Sequence, residues 1–285
     1  MSQVRELIHR GAHRLHTAGI KPARRETEWL LSRLLGLHSV ELYLDEPPVS
    51  DEVARRFFTQ IESRAAGIPL QYLLGETEFF GATLAVSSGV FIPRPETETI
   101  IAVAIEALRK RAGRLSRPLR LLDLGTGSGA MAIALARALP ACVVVGVEVS
   151  WNALLVARQN IRRHRLEARV QLVQGRWLSA MRGSFDGVVS NPPYIPTARM
   201  NQLPLDVRQE PRVSLDGGEH GMRDALEVLA ASRQALDPGG LLVLECGEEQ
   251  VETLCRTAAA WPWVATVNPI VDLAGRPRGL HLTRR

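Results

Sequence analysis

Two short stretches hold residue types that could do chemistry: "DLGTGSG", Asp123 to Gly129, and "SNPPYIP", Ser190 to Pro196. In the second, the prolines lack a backbone N–H and fix their own φ. Each also pushes the residue before it toward extended geometry. The product is a stiff turn whose carbonyls have no ladder partners. Asn191 offers a carbonyl acceptor and an NH₂ donor. Its acceptor, together with the carbonyl of Pro192, can take both hydrogens of a planar NH₂ group. Tyr194 can stack on that plane or wall it in, and Pro193 keeps the turn rigid. The plain alternative is a proline-rich turn with a capping asparagine.

"LLDLGTGSGAMAIALA" reads as strand, glycine-rich turn and helix. Gly125, Gly127 and Gly129, with Thr126 and Ser128 between them, allow a tight turn and close backbone approach to a ligand. The spacing is G-x-G-x-G, not the dinucleotide G-x-G-x-x-G. Asp123 precedes the loop at the strand end where ligands sit in open α/β sheets, and Glu148 ends the next strand, where an acid can accept ribose hydroxyls. Carboxylates beside the loop disfavour a polyphosphate and tolerate a sulfonium. That points to S-adenosyl-L-methionine rather than NAD. Trp177 follows the third strand, where an indole can stack on adenine or simply fill core.

The elements that must position these residues follow from periodicity. Residues 1 to about 68 read as a small bundle of helices. "VRELIHRGAHRLHTAG" ends at Gly19; "ARRETEWLLSRLLG" puts Trp29, Leu30, Leu34 and Leu37 near one face; "SDEVARRFFTQIESRAAG" has Ser50 as its cap. Residues 69 to 92 alternate apolar and β-branched residues with glycines, predicting a hairpin that links two domains. "PRPETETIIAVAIEALRKRAG" restarts a helix. From Leu119 onward, apolar strand runs ("LRLLDL", "CVVVGVEV", "RVQLVQ", "FDGVVS", "GLLVLECG") alternate with helical runs. That alternation predicts a doubly wound α/β sheet, closed by a final strand pair.

Bulk properties narrow the classes. The chain has 285 residues, 46% hydrophobic, enough for one large or two modest domains. No run approaches the ~20 apolar residues of a membrane span. The first residues are amphipathic but lack a signal-peptide core, and Glu6 argues against a mitochondrial presequence. Cys142, Cys246 and Cys255 read as free thiols of a cytoplasmic protein. No cluster has metal-ligand spacing, and His9, His13 and His16 read as a solvated helix face. The net charge of +5 is almost all arginine, and it permits an RNA-associated partner without requiring one.

"NPPY" after "DLGTGSG" resembles class I, seven-stranded (Rossmann-like) methyltransferases acting on planar nitrogens. With "PLQYLLGETEFFG", "FIPRPETE", "VRQEP", "GGEHGM", "PGGLLVLECGEEQ" and "VDLAGRPRG" in order, the chain is similar to the release factor glutamine methyltransferases over nearly its whole length. The resemblance implies an N-terminal helical recognition domain (1–68), a β-hairpin linker (69–92) and a methyltransferase domain (93–285). It implies S-adenosyl-L-methionine as methyl donor, S-adenosyl-L-homocysteine as product and class I peptide-chain release factors as partners. A monomer needing neither membrane nor nucleic acid is expected. The glycine loop would line the methionine part of the donor, Glu148 would take the ribose and Trp177 the adenine. Asn191 to Tyr194 would hold the glutamine amide, and Arg94 and Thr97 would lie over the pocket.

Three positions depart from the family pattern: Glu148 for the usual Asp, Arg176 where an acid is frequent, and His220 within "GGEHGM". Three competing readings carry distinct tests. An adenine-specific DNA or RNA methyltransferase would use the same slot. A non-catalytic nucleoside-binding module would not transfer methyl groups. An NAD-dependent oxidoreductase would bind a different cofactor.

Overall fold

The computed structural model describes residues 3–44, 46–179, 181 and 183–285. The chain divides into two compact units, Met1–Glu76 with Pro204–Gln209, and Thr77–Leu203 with Glu210–Arg285.

The first unit holds helices α1 (Gln3–Thr17), α2 (Ala23–Leu35), α3 (Glu41–Leu44), α4 (Asp51–Ala65) and α5 (Leu70–Leu74). Ser50 caps α4, its hydroxyl accepting from the Val53 amide at 3.3 Å. Leu7, Leu15, Leu30, Leu31, Phe57 and Ile61 form the buried seam. A side chain at Gly11 would meet Phe57 and Thr27 at 2.8 Å, so α1 can pack closely only through glycine there. Trp29 departs from its predicted face: it is 41% exposed, while Leu30 and Leu31 are fully buried. One residue is about 100° of helix, and the seam runs through Thr27, Leu30 and Leu31. The Arg25 guanidinium instead lies over the Trp29 ring, 5.9 Å from its centroid.

Arg64 and Glu26 form a buried pair in this unit, with Nε donating at 2.7 Å and Nη2 at 3.3 Å. Arg64 also donates to the Ile68 carbonyl at 3.2 Å and to Asp206 at 3.4 Å. Removing one member of such a pair strands the other charge in a dry site. Arg64→Ala is expected to lower stability by about 3 kcal/mol in urea denaturation, and a joint Arg64→Met, Glu26→Leu replacement to recover most of that loss.

Residues 69–92 are not all hairpin. Leu70–Leu74 is a single helical turn closed by Gly75 at φ +77°. Pro69 starts it, since a proline suits the edge of a helix N-terminus. The strand pair is shorter, β1 (Glu76–Phe79) and β2 (Ala82–Ala85).

The second unit continues with α6 (Pro95–Ala112), β3 (Leu119–Leu124), α7 (Ala130–Ala138), β4 (Cys142–Glu148), α8 (Trp151–Arg163), β5 (Val170–Gln174) and β6 (Phe185–Ser190). It closes with α9 (Arg223–Ala235), β7 (Leu236–Glu245), α10 (Val251–Ala259), β8 (Val264–Val271) and β9 (Pro277–Arg284). Among the described residues the main sheet has seven strands in the order β5-β4-β3-β6-β7-β9-β8. The first five are mutually parallel, and β9 enters antiparallel between β7 and β8.

Alternate residues of each central strand bury on opposite faces. Leu119 and Leu121 join one core with Ile101, Leu108 and Ile133. Leu122 and Leu124 join the other with Val228, Leu229 and Leu254. Both faces are apolar, which is why the strands read as continuous hydrophobic runs. Helix α10 went unread in the sequence, although Val251, Leu254 and Ala258 repeat at helical spacing and are buried.

The chain leaves β3 toward β4 and β5 on one side, then returns to place β6 and β7 on the other. Leu124 therefore lies beside Ser190, and the loops after β3 and β6 diverge from one point of the carboxyl edge. Open α/β sheets bind their ligands at such a switch point.

Candidate active site

The loop after β3 is held by its neighbours. The Gly125 and Thr126 amides donate to the Val147 carbonyl at 2.8 and 3.1 Å. Asp123, fully buried, accepts from the Thr126 hydroxyl at 2.6 Å and the Ala132 amide at 3.0 Å, both through Oδ2. Its Oδ1 has no partner. Glu148 accepts from the Gly127 amide at 3.0 Å and the Ser150 amide at 2.9 Å. Each of its oxygens keeps a lone pair for a ligand. Gly125 has φ +75°, and a Cβ there would stand 3.2 Å from the Trp177 ring. Trp177 thus packs closely against the loop and is only 8% exposed.

Asn160 on α8 fastens this loop to the hairpin. Its amide group donates to the Ser128 carbonyl at 2.9 Å and the Ala85 carbonyl at 3.0 Å, and accepts from the Ala85 amide at 2.7 Å.

The loop after β6 is shaped by backbone contacts with residues far along the chain. Gln250 donates to the Tyr194 carbonyl at 2.8 Å and the His220 carbonyl at 3.2 Å, and accepts from the Gly247 amide at 2.9 Å. A Cβ on Gly217 would stand 2.5 Å from the Pro193 carbonyl oxygen, and one on Gly221 would overlap the Tyr194 carbonyl. These contacts explain Gly217 and Gly221 of "GGEHGM". His220 contributes its carbonyl, and its side chain is exposed. At the head of the loop, the Asn191 NH₂ donates to the Thr97 hydroxyl at 3.1 Å.

Glycine loop and NPPY loop meet in one cleft of about 410 Å³. Of the residues singled out in the sequence, Thr97, Gly125, Thr126, Gly127, Ser128, Glu148, Trp177, Asn191 and Pro193 line it. Arg94, Asp123, Gly129, Pro192 and Tyr194 do not. Arg94 pairs instead with Glu210, whose carboxylate also accepts from the Ile92 amide at 3.0 Å. Asp123 is buried and Tyr194 half-buried, and burial pushes the Tyr194 phenol up.

The acid absent before Trp177 has a counterpart from α9. Asp224 lines the cleft and is held by Arg176 at 2.9 Å and Arg223 at 2.7 Å. The Arg176 guanidinium also lies 5.7 Å from the centre of the Trp177 ring. Phe91, Pro93 and Met131 complete apolar walls that sequence reasoning missed. The first two stand next to Arg94 in "FIPRPETE", and their apolar character beside a charged run was the available signal.

Burial raises Asp123 to about 7, against the pull of Thr126 and Ala132 and with the Glu148 charge adding to the rise. Between about pH 4, the unfolded value, and pH 7, the folded protein therefore holds a proton that the unfolded chain has lost. The contribution of this group to stability falls as pH rises across that window. Asp123→Asn is expected to make that fall shallower, with the buried Glu245, also raised to about 7, keeping part of it; denaturation free energies of both proteins at several pH values check this.

Among the described residues no helix is long and apolar enough to cross a membrane, and no group of three His, Cys, Asp or Glu side chains could hold a metal ion.

The five parallel strands, the antiparallel β9 insertion and a cleft at the switch point define a class I methyltransferase fold. A methyltransferase from Pyrococcus furiosus shares it with TM-score 0.53 and 21% identity, over 72% of this chain and 89% of that one. Residues 6–75 match the PrmC N-terminal domain, and residues 88–203 match the methyltransferase small domain. The Moorella thermoacetica release factor glutamine methyltransferase is 39% identical over 99% of both chains. The enzyme of the same name from Geobacter sulfurreducens is 44% identical over 83% of this chain and 81% of its own. The chain belongs to the release factor glutamine methyltransferase family. That membership does not favour the adenine-methylating alternative.

Proposed function

We propose that this enzyme transfers a methyl group from S-adenosyl-L-methionine to the side-chain amide nitrogen of the glutamine in the Gly-Gly-Gln motif of class I peptide-chain release factors. The observation that carries the reading is the Asn191 carboxamide. Its NH₂ end is committed to Thr97, so its Oδ1 is free to accept a hydrogen bond at the rim of a glycine-lined cleft.

The residues present suit the donor. Ser128 lines the cleft with a buried hydroxyl that has no partner. Glu148 can accept ribose hydroxyls, and the Trp177 face can pack on adenine. A side chain on Gly125 would fill the space beside that ring. When bound, S-adenosyl-L-methionine supplies an electrophilic methyl group on a sulfonium.

An amide nitrogen is a poor nucleophile because its lone pair is delocalised. Asn191 Oδ1 accepts one of its N–H bonds and aims the lone pair along the line of transfer; the Pro192 carbonyl, which does not line the cleft here, takes the second only when the loop closes on bound substrate. Positioning in a dry, preorganised polar site then supplies most of the rate. No side-chain base is needed first, and the extra proton leaves afterwards. Substrate recognition is assigned to the N-terminal helices.

The test is mass spectrometry of a release-factor Gly-Gly-Gln peptide and of the intact factor, each incubated with S-adenosyl-L-methionine and enzyme. One methyl group on the glutamine is expected. Methylation of DNA adenine with an unmodified release factor would overturn the reading.

A further inference from the structure

The "VRQEP" stretch, residues 207–211, has no part in the reaction described above. Its acid, Glu210, has a side chain only 1% exposed. One carboxylate oxygen, Oε2, accepts from the Ile92 amide at 3.0 Å, and the other pairs with the Arg94 guanidinium. Ile92 and Arg94 each precede a proline, which pushes both toward extended backbone. In an extended stretch successive side chains point to opposite faces. Phe91 and Pro93 accordingly line the cleft, while Ile92 is buried and Arg94 turns to Glu210. Beyond Pro211, Arg212, Val213 and Ser214 line the same cleft. One buried carboxylate thus joins two cleft walls, through residues 118 positions apart in the chain.

We propose that Glu210 is a positioning residue for methyl transfer, acting through the start of α6 on Asn191. A charge-assisted grip on both a main-chain amide and a guanidinium fixes the place and the direction of residues 91–94. The Arg94 carbonyl accepts from the Thr97 amide at 3.1 Å, so Thr97 stands one turn from that grip. The Thr97 hydroxyl in turn accepts from the Asn191 NH₂ at 3.1 Å. The Arg94 side chain does not cap helix α6. Anchors outside the first turn hold it: the Phe80 amide donates to Glu98 at 2.8 Å, and Glu210 grips the stretch before it. When Glu210 lets go, Thr97 drifts. Asn191 then loses the contact that keeps its Oδ1 for the substrate.

The inference rests on the amide-methylation reading, and the experiment separates the two. Wild-type enzyme is first assayed on the Gly-Gly-Gln peptide; failure there overturns the parent reading. Glu210→Gln keeps an acceptor for the Ile92 amide and loses the charge. With wild type active, this variant is expected to lower kcat about tenfold. A shift of a few tenths of an ångström at Asn191 accounts for that factor, since about 1 Å costs roughly 100-fold. Donor affinity by calorimetry should stay within about threefold, because the glycine loop, Glu148 and Trp177 keep their places. Thr97→Val cuts the same relay further along, so Glu210→Gln combined with Thr97→Val should lose little more than the worse single variant. A merely structural role would let the two losses multiply. Unchanged kcat in Glu210→Gln, multiplied losses in the double variant, or a donor affinity that falls as far as kcat would each overturn the proposal. Should Glu210→Gln not fold, the neutral pair Glu210→Gln with Arg94→Met, which leaves no unpaired buried charge, takes its place in both measurements with the same outcomes.

Discussion

Asn191→Ala lowers kcat by about 10²- to 10³-fold and leaves donor affinity within about threefold; that is the expected result for a group that aims the substrate. The donor is held elsewhere in this reading, by the glycine loop, Glu148 and Trp177. Among the described residues the Asn191 side chain has one hydrogen bond, through its NH₂ to Thr97. Truncation removes one donor to the Thr97 hydroxyl from a half-buried side chain, so the fold should persist. What is lost is an acceptor for one amide hydrogen. The glutamine nitrogen can then rotate, and its lone pair is no longer directed along the transfer line. Initial rates on the Gly-Gly-Gln peptide, with donor binding measured by calorimetry, check both halves. A variant that keeps wild-type kcat removes the role given to Asn191.

Gly221→Ala is expected to lower kcat about 100-fold without touching the cleft. Gly221 has φ +69°, and a Cβ there would overlap the Tyr194 carbonyl and stand 2.5 Å from the Gln250 amide nitrogen. The first obstacle is main chain, so it cannot rotate aside. Relief requires the loop after β6 to shift by about an ångström, and a misplacement of that size costs roughly 100-fold in rate. The left-handed φ adds strain for a residue with a side chain. The melting temperature should fall as well. Donor affinity should change much less than kcat, because Gly221 does not line the cleft. Equal losses in donor affinity and kcat would place the damage in the glycine loop and contradict this account.

Local signals revealed most of the fold. Strands such as Leu119–Leu124 and Phe185–Ser190 are bounded where their apolar runs begin and end, because both sheet faces are covered. The Leu70–Leu74 turn was missed because five apolar and polar residues fit one helical turn as well as a strand. The glycine loop, Glu148 and Asn191 were legible because unusual residue types follow apolar strands. Gln250, Asn160 and Gly217 were not legible as site residues. Their roles depend on carbonyls 24 to 75 positions away, such as Gln250 with His220 and Tyr194, and only the folded chain brings them together. Arg94 illustrates the opposite error. It sits in a motif beside the cleft, yet its charge is spent on Glu210.

The Gln250 side chain ties three separate stretches of main chain, at Tyr194, His220 and Gly247. The NPPY turn has no regular ladder of its own, only an isolated bridge between Ile195 and Asp216. Its shape therefore depends on a segment synthesised after it, beyond the exit of β7. Native-state hydrogen exchange should show the Ile195 and Gly247 amides opening with similar free energies. A nascent chain that stops short of residue 250 could already carry its glycine loop between β3 and β4, but its methyl-accepting half would still lack a template. Competence thus arrives late in biogenesis, as a property of the finished carboxyl-terminal third.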